Sequence, residues 1–543
     1  MGTSSTKSNA SKQRREAAKP DLKPQSSFEI SEKTWRIAAI SIFVIAAFLR
    51  LYHLELVPLH HDEGVNGNFL ISLVRDGRYK YDPANYHGPT LYYLTAVIPW
   101  IIKILFGPAA RDSYGLTTFV IRFIPAFFGL ATIVLVFLLR RRLGTMATLC
   151  AAFFLAISPG AVYLSRYYIH ETLFVFFTLG IVVAGLRFWE TRNQLYLLLA
   201  SASAAMLFAT KETAMISAAV LIIALAATLI YPQLLGQGGP RKKKNVESES
   251  FIDEVGGGVS LALWIGLAVA VFVAINIFFY SSFFTNYPQG VYDSLKTFQI
   301  WTKTGQQAHV HSATTYLQWL TLEESPLLFL GSIGAVFVVF RPKKPFALFS
   351  ALWAFGIIAA YSLVPYKTPW LALNFIVPLA LIAGYAVQRI YQLERGQIRL
   401  PIVILAIAVL IAGYQTIDLN FFNYDNDSNY YVYVYAHTKR GTTELVNDID
   451  KFAQQSAEGA KTGITIVSPD YWPLPWYLRN YSRVGYFGHM TQSTEPIIIA
   501  SETQQAEMES TFGGVYRQVR SSAPDGTFPL RPGVNLLLYV RQP

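Results

Sequence analysis

The sequence predicts a polytopic α-helical membrane protein of about eleven transmembrane helices. Amphipathic helices lie on its outer face, and a small α/β domain follows at the C-terminal end, outside the membrane. Three observations predict this. Of 543 residues, 52% are hydrophobic and only 15% charged, and the mean hydropathy is +0.33, a balance typical of membrane-embedded chains. Apolar runs close to the ~20 residues that a spanning helix needs recur from Trp35 to Gln415. After about Asn420 the pattern changes to one amphipathic helix and short apolar runs of strand length.

Residues 1–34 are polar and basic, with Lys7, Lys12, Arg14, Arg15, Lys19 and Lys23 and no apolar core of a signal peptide. They read as a disordered cytoplasmic tail. The predicted spans are 35–54, 116–139, 144–164, 171–189, 195–210, 213–231, 259–284, 326–340, 346–364, 370–391 and 399–415. Residues 35–415 form the membrane domain and 416–543 the extracytoplasmic domain. There, Thr442–Ala457 has helical periodicity, and the runs 463–467, 496–500 and 535–540 are short buried strands.

Orientation follows from lysine and arginine placement. Thr90–Phe106 is apolar but short, and holds Pro99 and Lys103. Treated as an interfacial segment that does not cross, it puts Arg140–Arg142, Arg187, Arg192, Arg241–Lys244, Arg341, Lys343, Lys344, Arg389, Arg395 and Arg399 on the cytoplasmic side. If it crosses, every one of these links lies outside, against the positive-inside bias. The protein is therefore expected in the plasma membrane, multi-pass, with a cytoplasmic N-terminus. The net charge of +11 resides largely in these links, and no basic groove interleaved with aromatic residues points to nucleic acid. A single cysteine, Cys150, excludes an intrachain disulfide framework and a Cys-based metal site.

The stretch His60–Pro89 is far more polar than its surroundings. It opens with Asp62-Glu63 and closes with His87-Gly88-Pro89, around an amphipathic segment of Val65, Phe69, Leu70, Leu73 and Val74. With the orientation above, Asp62, Glu63 and His87 share the outer face with Arg166, His170, Glu171, Lys211, Glu212 and Lys367. Charged residues at helix ends commonly cap helices or snorkel, and for Glu212, His170 or Lys367 alone that reading suffices. Capping explains only one carboxylate of the Asp62-Glu63 pair. Together the residues suit displacement at a sugar's anomeric carbon. A carboxylate takes the acceptor's proton, and Arg166, Lys211 and Lys367 supply positive charge to a departing lipid phosphate. No GxxxxGK[ST], HExxH or GxSxG pattern occurs. His60, His61, Asp62 and His87 carry donor atoms for a divalent cation, but their spacing matches no metal pattern. No metal ligand is assigned, and a divalent cation stays open as a cofactor.

At these residues the sequence resembles the GT-C glycosyltransferases, within them the protein O-mannosyltransferase and aminoarabinose-transferase group. His61-Asp62-Glu63-Gly64 resembles the group's Asp-Glu motif, and His87-Gly88-Pro89 stands where mannosyltransferases have His-Pro-Pro. Arg122-Phe123-Ile124-Pro125-Ala126, Ser165–Glu171 and Thr210-Lys211-Glu212 resemble further motifs in the same order, over about residues 35–230. Tyr366-Lys367-Thr368-Pro369-Trp370 is closer to a prokaryotic subgroup of flippase-activity-associated proteins. The resemblance implies an inverting transferase using a polyprenyl-phosphate sugar donor and an extracytoplasmic acceptor. Asp62 would be the base with Glu63 beside it, and Glu171 the second acidic site, where mannosyltransferases usually have Asp. Arg166 and Lys211 would bind phosphate. The other reading is a transporter or flippase-associated protein that binds the lipid-linked sugar without chemistry.

Overall fold

The computed structural model describes residues 30–84, 87–235, 251–304, 309–394 and 397–542. The tail up to residue 29, the basic run 241–244 and Arg395 lie outside the described residues. The helices are α1 (Glu32–Leu51), α2 (His61–Asp76), α3 (Thr90–Phe106), α4 (Thr118–Phe137), α5 (Thr145–Ile157), α6 (Pro159–Ser165), α7 (Glu171–Thr191), α8 (Leu195–Phe208) and α9 (Ala214–Leu234). There follow α10 (Gly258–Tyr280), α11 (Gln289–Thr304), α12 (Thr315–Glu323), α13 (Ser325–Phe340), α14 (Pro345–Leu363), α15 (Leu373–Leu393), α16 (Arg399–Ile417) and α17 (Gly441–Gln455).

Among the described residues, eight helices are long and apolar enough to cross a membrane, or ten if each bent pair, α5 with α6 and α12 with α13, is one span. Every predicted span is matched by a helix, but the run 195–210 becomes α8, with only 14 residues. At ~1.5 Å per residue that is about 21 Å, short of a ~30 Å hydrocarbon core. The helix stops because Ala209 and Thr210 turn to accept backbone hydrogen bonds from Thr90 and Gly88. The helix α15, with its 3-10 lead from Pro369, is 94% buried and forms the centre of the bundle, whereas α10 is 6% buried and stands at its edge.

The bend of 59° between α5 and α6 has a local cause. Pro159 has no N–H to continue the helix. Ser158 starts the next turn, its hydroxyl accepting from the Ala161 N–H at 3.1 Å. The carbonyls left open are taken up by the Arg50 guanidinium, at 2.8 Å from Leu155 O and 3.1 Å from Ala156 O. A buried cation thus satisfies a broken helix rather than a ligand.

The basic links gather at one end of the bundle. Arg140 meets Glu32 at 2.7 Å, and Arg142 and Arg187 share Glu190 at 2.5 and 3.2 Å. Asp62 follows the other end of α1, and Glu171, at the other end of α7, pairs with Lys211.

The C-terminal part is a six-stranded mixed sheet: β1 (Ile464–Ile466), β2 (Val484–Tyr486), β3 (Ile497–Ser501), β4 (Tyr516–Val519), β5 (Phe528–Arg531) and β6 (Val534–Arg541). The order is β2-β1-β3-β6-β4, with β5 also on β6. β1 runs parallel to β2 and β3, and β6 antiparallel to its neighbours. Alternate residues go to opposite faces. Ile464, Ile466, Ile497 and Ile499 meet Leu445 and Ile449 of α17, while Val467, Ile498 and Ala500 meet Met508 and Phe512. Helices cover both faces, which is why the predicted strands read as unbroken apolar runs. β2, β4 and β5, less apolar, were not expected from the sequence.

Candidate active site

The polar stretch at His60 begins α2 with a capping box. The His60 side chain accepts from the Asp62 N–H at 3.1 Å, and Glu63 accepts from the His60 N–H at 2.9 Å. The two adjacent carboxylates then part. Glu63 is fully buried. Arg122 holds it in a fork, Nε to Oε1 at 2.8 Å and Nη2 to Oε2 at 2.7 Å, and the Tyr168 N–H donates to Oε1 at 2.8 Å. With His60 that makes four donors, which fill a carboxylate's acceptor sites. Arg122 also donates to the carbonyls of Leu54, Val57 and Pro58, so the pair fixes the loop ahead of α2. Glu63, expected in the catalytic set, has its lone pairs occupied in this geometry. Asp62 is 32% exposed, and the ionic group nearest it among the described residues is the His60 ring, at 3.8 Å.

Arg166 also departs from expectation. Its guanidinium donates to the carbonyls of Leu49, Arg50, Tyr52 and His53 at 2.7–3.3 Å and lies 4.9 Å over the Phe421 ring. It caps the C-terminal end of α1 and has its donors committed there. Arg166→Ala is therefore expected to lower stability by roughly 2–3 kcal/mol while donor affinity stays unchanged. Thermal unfolding in detergent beside donor titration checks both parts.

The other predicted residues do converge. The turn His87–Thr90 runs against Ala209–Glu212, with the Gly88 N–H on Thr210 O at 3.0 Å and the Thr90 N–H on Ala209 O at 3.3 Å. A Cβ at Gly88 would lie 2.1 Å from Ala209 O, so only glycine fits between His87 and Pro89. This pairing brings His87 Nδ1 to Glu212 Oε2 at 2.9 Å. Lys211 Nζ reaches Glu171 Oε1 at 2.5 Å, both side chains buried. His170 donates from Nε2 to Gly88 O at 3.0 Å, and its ring stands 5.3 Å from that of His87.

The charges of this cluster balance one another. Burial disfavours the Lys211 ammonium, but Glu171 and then Glu212 outweigh it and raise its pKa. Burial likewise opposes the Glu212 carboxylate, and His87 and Lys211 bring it below its ordinary value. His170 is pushed well below the usual histidine range by burial, then by His87 and Lys211. Its bond to the Gly88 carbonyl places a proton on Nε2.

Lys367 forms a third wall. It is 1% exposed, its Nζ donates to Val364 O at 2.5 Å, and among the described residues no carboxylate pairs with it. Burial lowers its pKa. Its backbone is tied to the segment His309–His311: the Lys367 N–H donates to His309 O at 3.0 Å, and the His311 N–H to Pro365 O at 3.0 Å. His309 Nδ1 is 2.8 Å from the Tyr435 hydroxyl, and the Tyr435 carbonyl is 3.2 Å from His60 Nε2. Tyr366 joins the walls. Its phenol is pushed up by burial and then by Asp62, Glu171 and Glu212, so it lies within electrostatic reach of all three carboxylates.

His309, His311 and Tyr435 were not singled out from the sequence, and Tyr366 was named only as part of the Tyr366–Trp370 motif, without a role. Tyr366 had a signal, standing beside Lys367 in a polar stretch between two spans. The histidines had only their place in the loop 285–325.

The sheet domain closes over the start of α2. Arg531 pairs with Asp470 and reaches His61 Nδ1 at 3.5 Å, and the Trp472 ring is 6.1 Å from that of His61. Trp476 is buried, with Nε1 on Thr118 Oγ1 at 3.2 Å. A Cβ at Gly67 would lie 2.5 Å from its ring, so α2 approaches this domain through a glycine. Among the described residues, no group of three or more His, Cys, Asp or Glu is placed to hold a metal ion. His60 and Asp62 supply two donors, and no step is routed through a cation.

Residues 95–237 match the family profile described as dolichyl-phosphate-mannose-protein mannosyltransferase. No curated protein matches the chain. The structure is similar to that of ArnT from Cupriavidus metallidurans bound to undecaprenyl phosphate, with a TM-score of 0.61 at 14% identity, over 94% of this chain and 98% of that one. It is also similar to the oligosaccharyltransferase of Archaeoglobus fulgidus in complex with Zn and sulfate, TM-score 0.52 at 14% identity, over 91% and 73%. AglB from Archaeoglobus fulgidus, in complex with an inhibitory peptide and a dolichol-phosphate, gives 0.50 at 14%, over 92% and 74%. At such identities the likeness is one of fold. The chain therefore shares its fold with ArnT and the archaeal oligosaccharyltransferase over nearly its whole length, and residues 95–237 carry the match to the mannosyltransferase family profile.

Proposed function

We propose that this protein is a membrane glycosyltransferase that moves a sugar from a polyprenyl-phosphate carrier to an acceptor outside the cytoplasm. The acceptor's O–H or N–H proton passes to Asp62. The acceptor atom bonds to the anomeric carbon as that carbon's bond to the phosphate oxygen breaks, and polyprenyl phosphate leaves with the bonding pair. A carboxylate that takes a proton, rather than bonding to carbon, gives a single displacement and inverted configuration.

The observation that carries this reading is the pairing pattern of the charges. Asp62 is an open carboxylate with only a histidine near it, and Lys367 is a buried ammonium with no carboxylate partner among the described residues. The Tyr366 phenol feels the charge of Asp62, Glu171 and Glu212. Glu171 and Lys211 neutralise each other, and Arg166 is spent on α1. Phosphate binding is therefore proposed for Lys367, supported by His309 and His311, rather than for Arg166 and Lys211. Glu171 and Glu212 serve as acceptors for sugar hydroxyls, held in place by Lys211 and His87, with neutral His170 fixing the turn beneath them.

The membrane domain is taken as 35–415 and the extracytoplasmic domain as 416–543, with the N-terminus inside. The gathering of Arg140, Arg142 and Arg187 at the end of the bundle away from Asp62 supports that orientation.

Protein in nanodiscs is given a panel of radiolabelled polyprenyl-phosphate sugars with cell-envelope extract, and release of the free lipid phosphate is followed. Wild type is expected to release it from at least one donor. Lys367→Ala is expected to weaken binding of that donor by about tenfold or more, the loss of one charge-assisted contact. Binding without release, extract included, would instead favour a non-catalytic carrier protein.

A further inference from the structure

A second cavity of about 420 Å³ lies at the far end of α2 from Asp62, roughly 20 Å along the helix at ~1.5 Å per residue. Its walls come from the end of α2, from α3, and from the segment that follows α10. We propose that this cavity binds the phosphate of an anionic lipid, with Lys103 of α3 as its cation.

Lys103 is the sole charged residue of α3. Ile101, Ile104, Leu105 and Phe106 beside it are 50–81% exposed, which is the dress of a helix lying against lipid. A lysine in that setting either snorkels to water or meets an anion. Lys103 lines the cavity together with Trp100 and Tyr93, and no carboxylate pairs with it among the described residues. Arg75, also on the wall, is already committed to Asp112 at 3.2 Å, to the Arg479 carbonyl at 2.6 Å and to Asn480 at 2.8 Å. Asp76 is the one carboxylate on the lining, against the two cations Arg75 and Lys103. Trp100 is the ring type that settles at the headgroup level of a bilayer.

The opposite wall is built rigidly. Ser282, Phe283 and Phe284 carry φ of 53°, 54° and 68°, three successive non-glycine residues in the left-handed region. Such backbone persists where its surroundings over-determine it, and it clusters at ligand clamps. Here the Phe283 ring is pinned at 4.3 Å from that of Tyr93 and 4.2 Å from that of Phe278. Ser282 and Thr285 belong to the same lining, and the Thr285 hydroxyl donates to the Ser282 carbonyl at 2.6 Å. The volume is that of about fourteen waters at ~30 Å³ each, room for a phosphate and its ester carbons. Phe284, 61% exposed, continues the apolar surface where a lipid chain would run.

The full-length protein would be exchanged into phosphatidylcholine, phosphatidylglycerol or phosphatidylcholine with undecaprenyl phosphate, and the retained lipid read by native mass spectrometry. An anionic lipid is expected to be retained about tenfold better than phosphatidylcholine. Lys103→Gln should remove that preference and Lys103→Arg should keep it. Retention of phosphatidylglycerol identifies bulk lipid as the source, and of undecaprenyl phosphate alone the carrier. Lys367→Ala, at the donor site, should leave cavity binding intact, which separates this site from the proposed function. Equal retention of the neutral and anionic lipids, or an anionic preference that survives Lys103→Gln, would overturn the proposal.

Discussion

Asp62→Asn is expected to lower sugar transfer by roughly 10²–10⁴-fold, the usual contribution of a positioned general base, with donor affinity almost unchanged. The amide keeps the shape and the place of Asp62 in the first turn of α2 but cannot take the acceptor's proton. Its side chain is partly exposed and forms no close ion pair, with His60 at 3.8 Å, so the fold loses little. The measurement is single-turnover release of polyprenyl phosphate with saturating donor, beside a donor titration. Near-normal turnover in the variant would remove Asp62 from the chemistry. Normal turnover with weakened donor binding would make it a substrate contact instead.

Glu63→Gln should give the opposite pattern. It leaves the buried Arg122 guanidinium without its anion, and breaking a buried pair in this way costs about 3–5 kcal/mol. The pair fixes residues Leu54–Pro58 and the Tyr168 backbone as well, so the variant should unfold at markedly lower temperature. Replacing both partners with apolar residues of similar volume, Glu63→Leu with Arg122→Met, should recover part of the loss, since neither charge is then stranded. A stable Glu63→Gln protein without turnover would return Glu63 to the catalytic set.

These two neighbours mark the limit of what one sequence holds. Hydropathy located the apolar helices, eight to ten of them long enough to cross a membrane among the described residues, because apolarity is a property of a residue run rather than of its partners. Positive residues in the short links gave an orientation for the same reason. The convergence of His87, His170, Glu171, Lys211 and Glu212 was legible as well, since all stand at helix ends that alternate crossings bring to one face. The three strongly apolar strands of the C-terminal domain were visible, whereas β2, β4 and β5 hold their places through partners rather than composition.

What the sequence by itself determined, then, was the membrane class, the approximate spans, the small α/β domain after them and the face on which polar residues collect. The tertiary structure alone decided which charges are free. Successive residues on a helix point about 100° apart, so Asp62 stays partly exposed while Glu63 turns inward to Arg122, 59 positions away in the chain. Arg166 was drawn to the end of α1 by carbonyls more than a hundred residues earlier, and Lys367 has no carboxylate partner among the described residues. A charge's role depends on the ion or dipole that reaches it first, and that is settled by packing between distant segments.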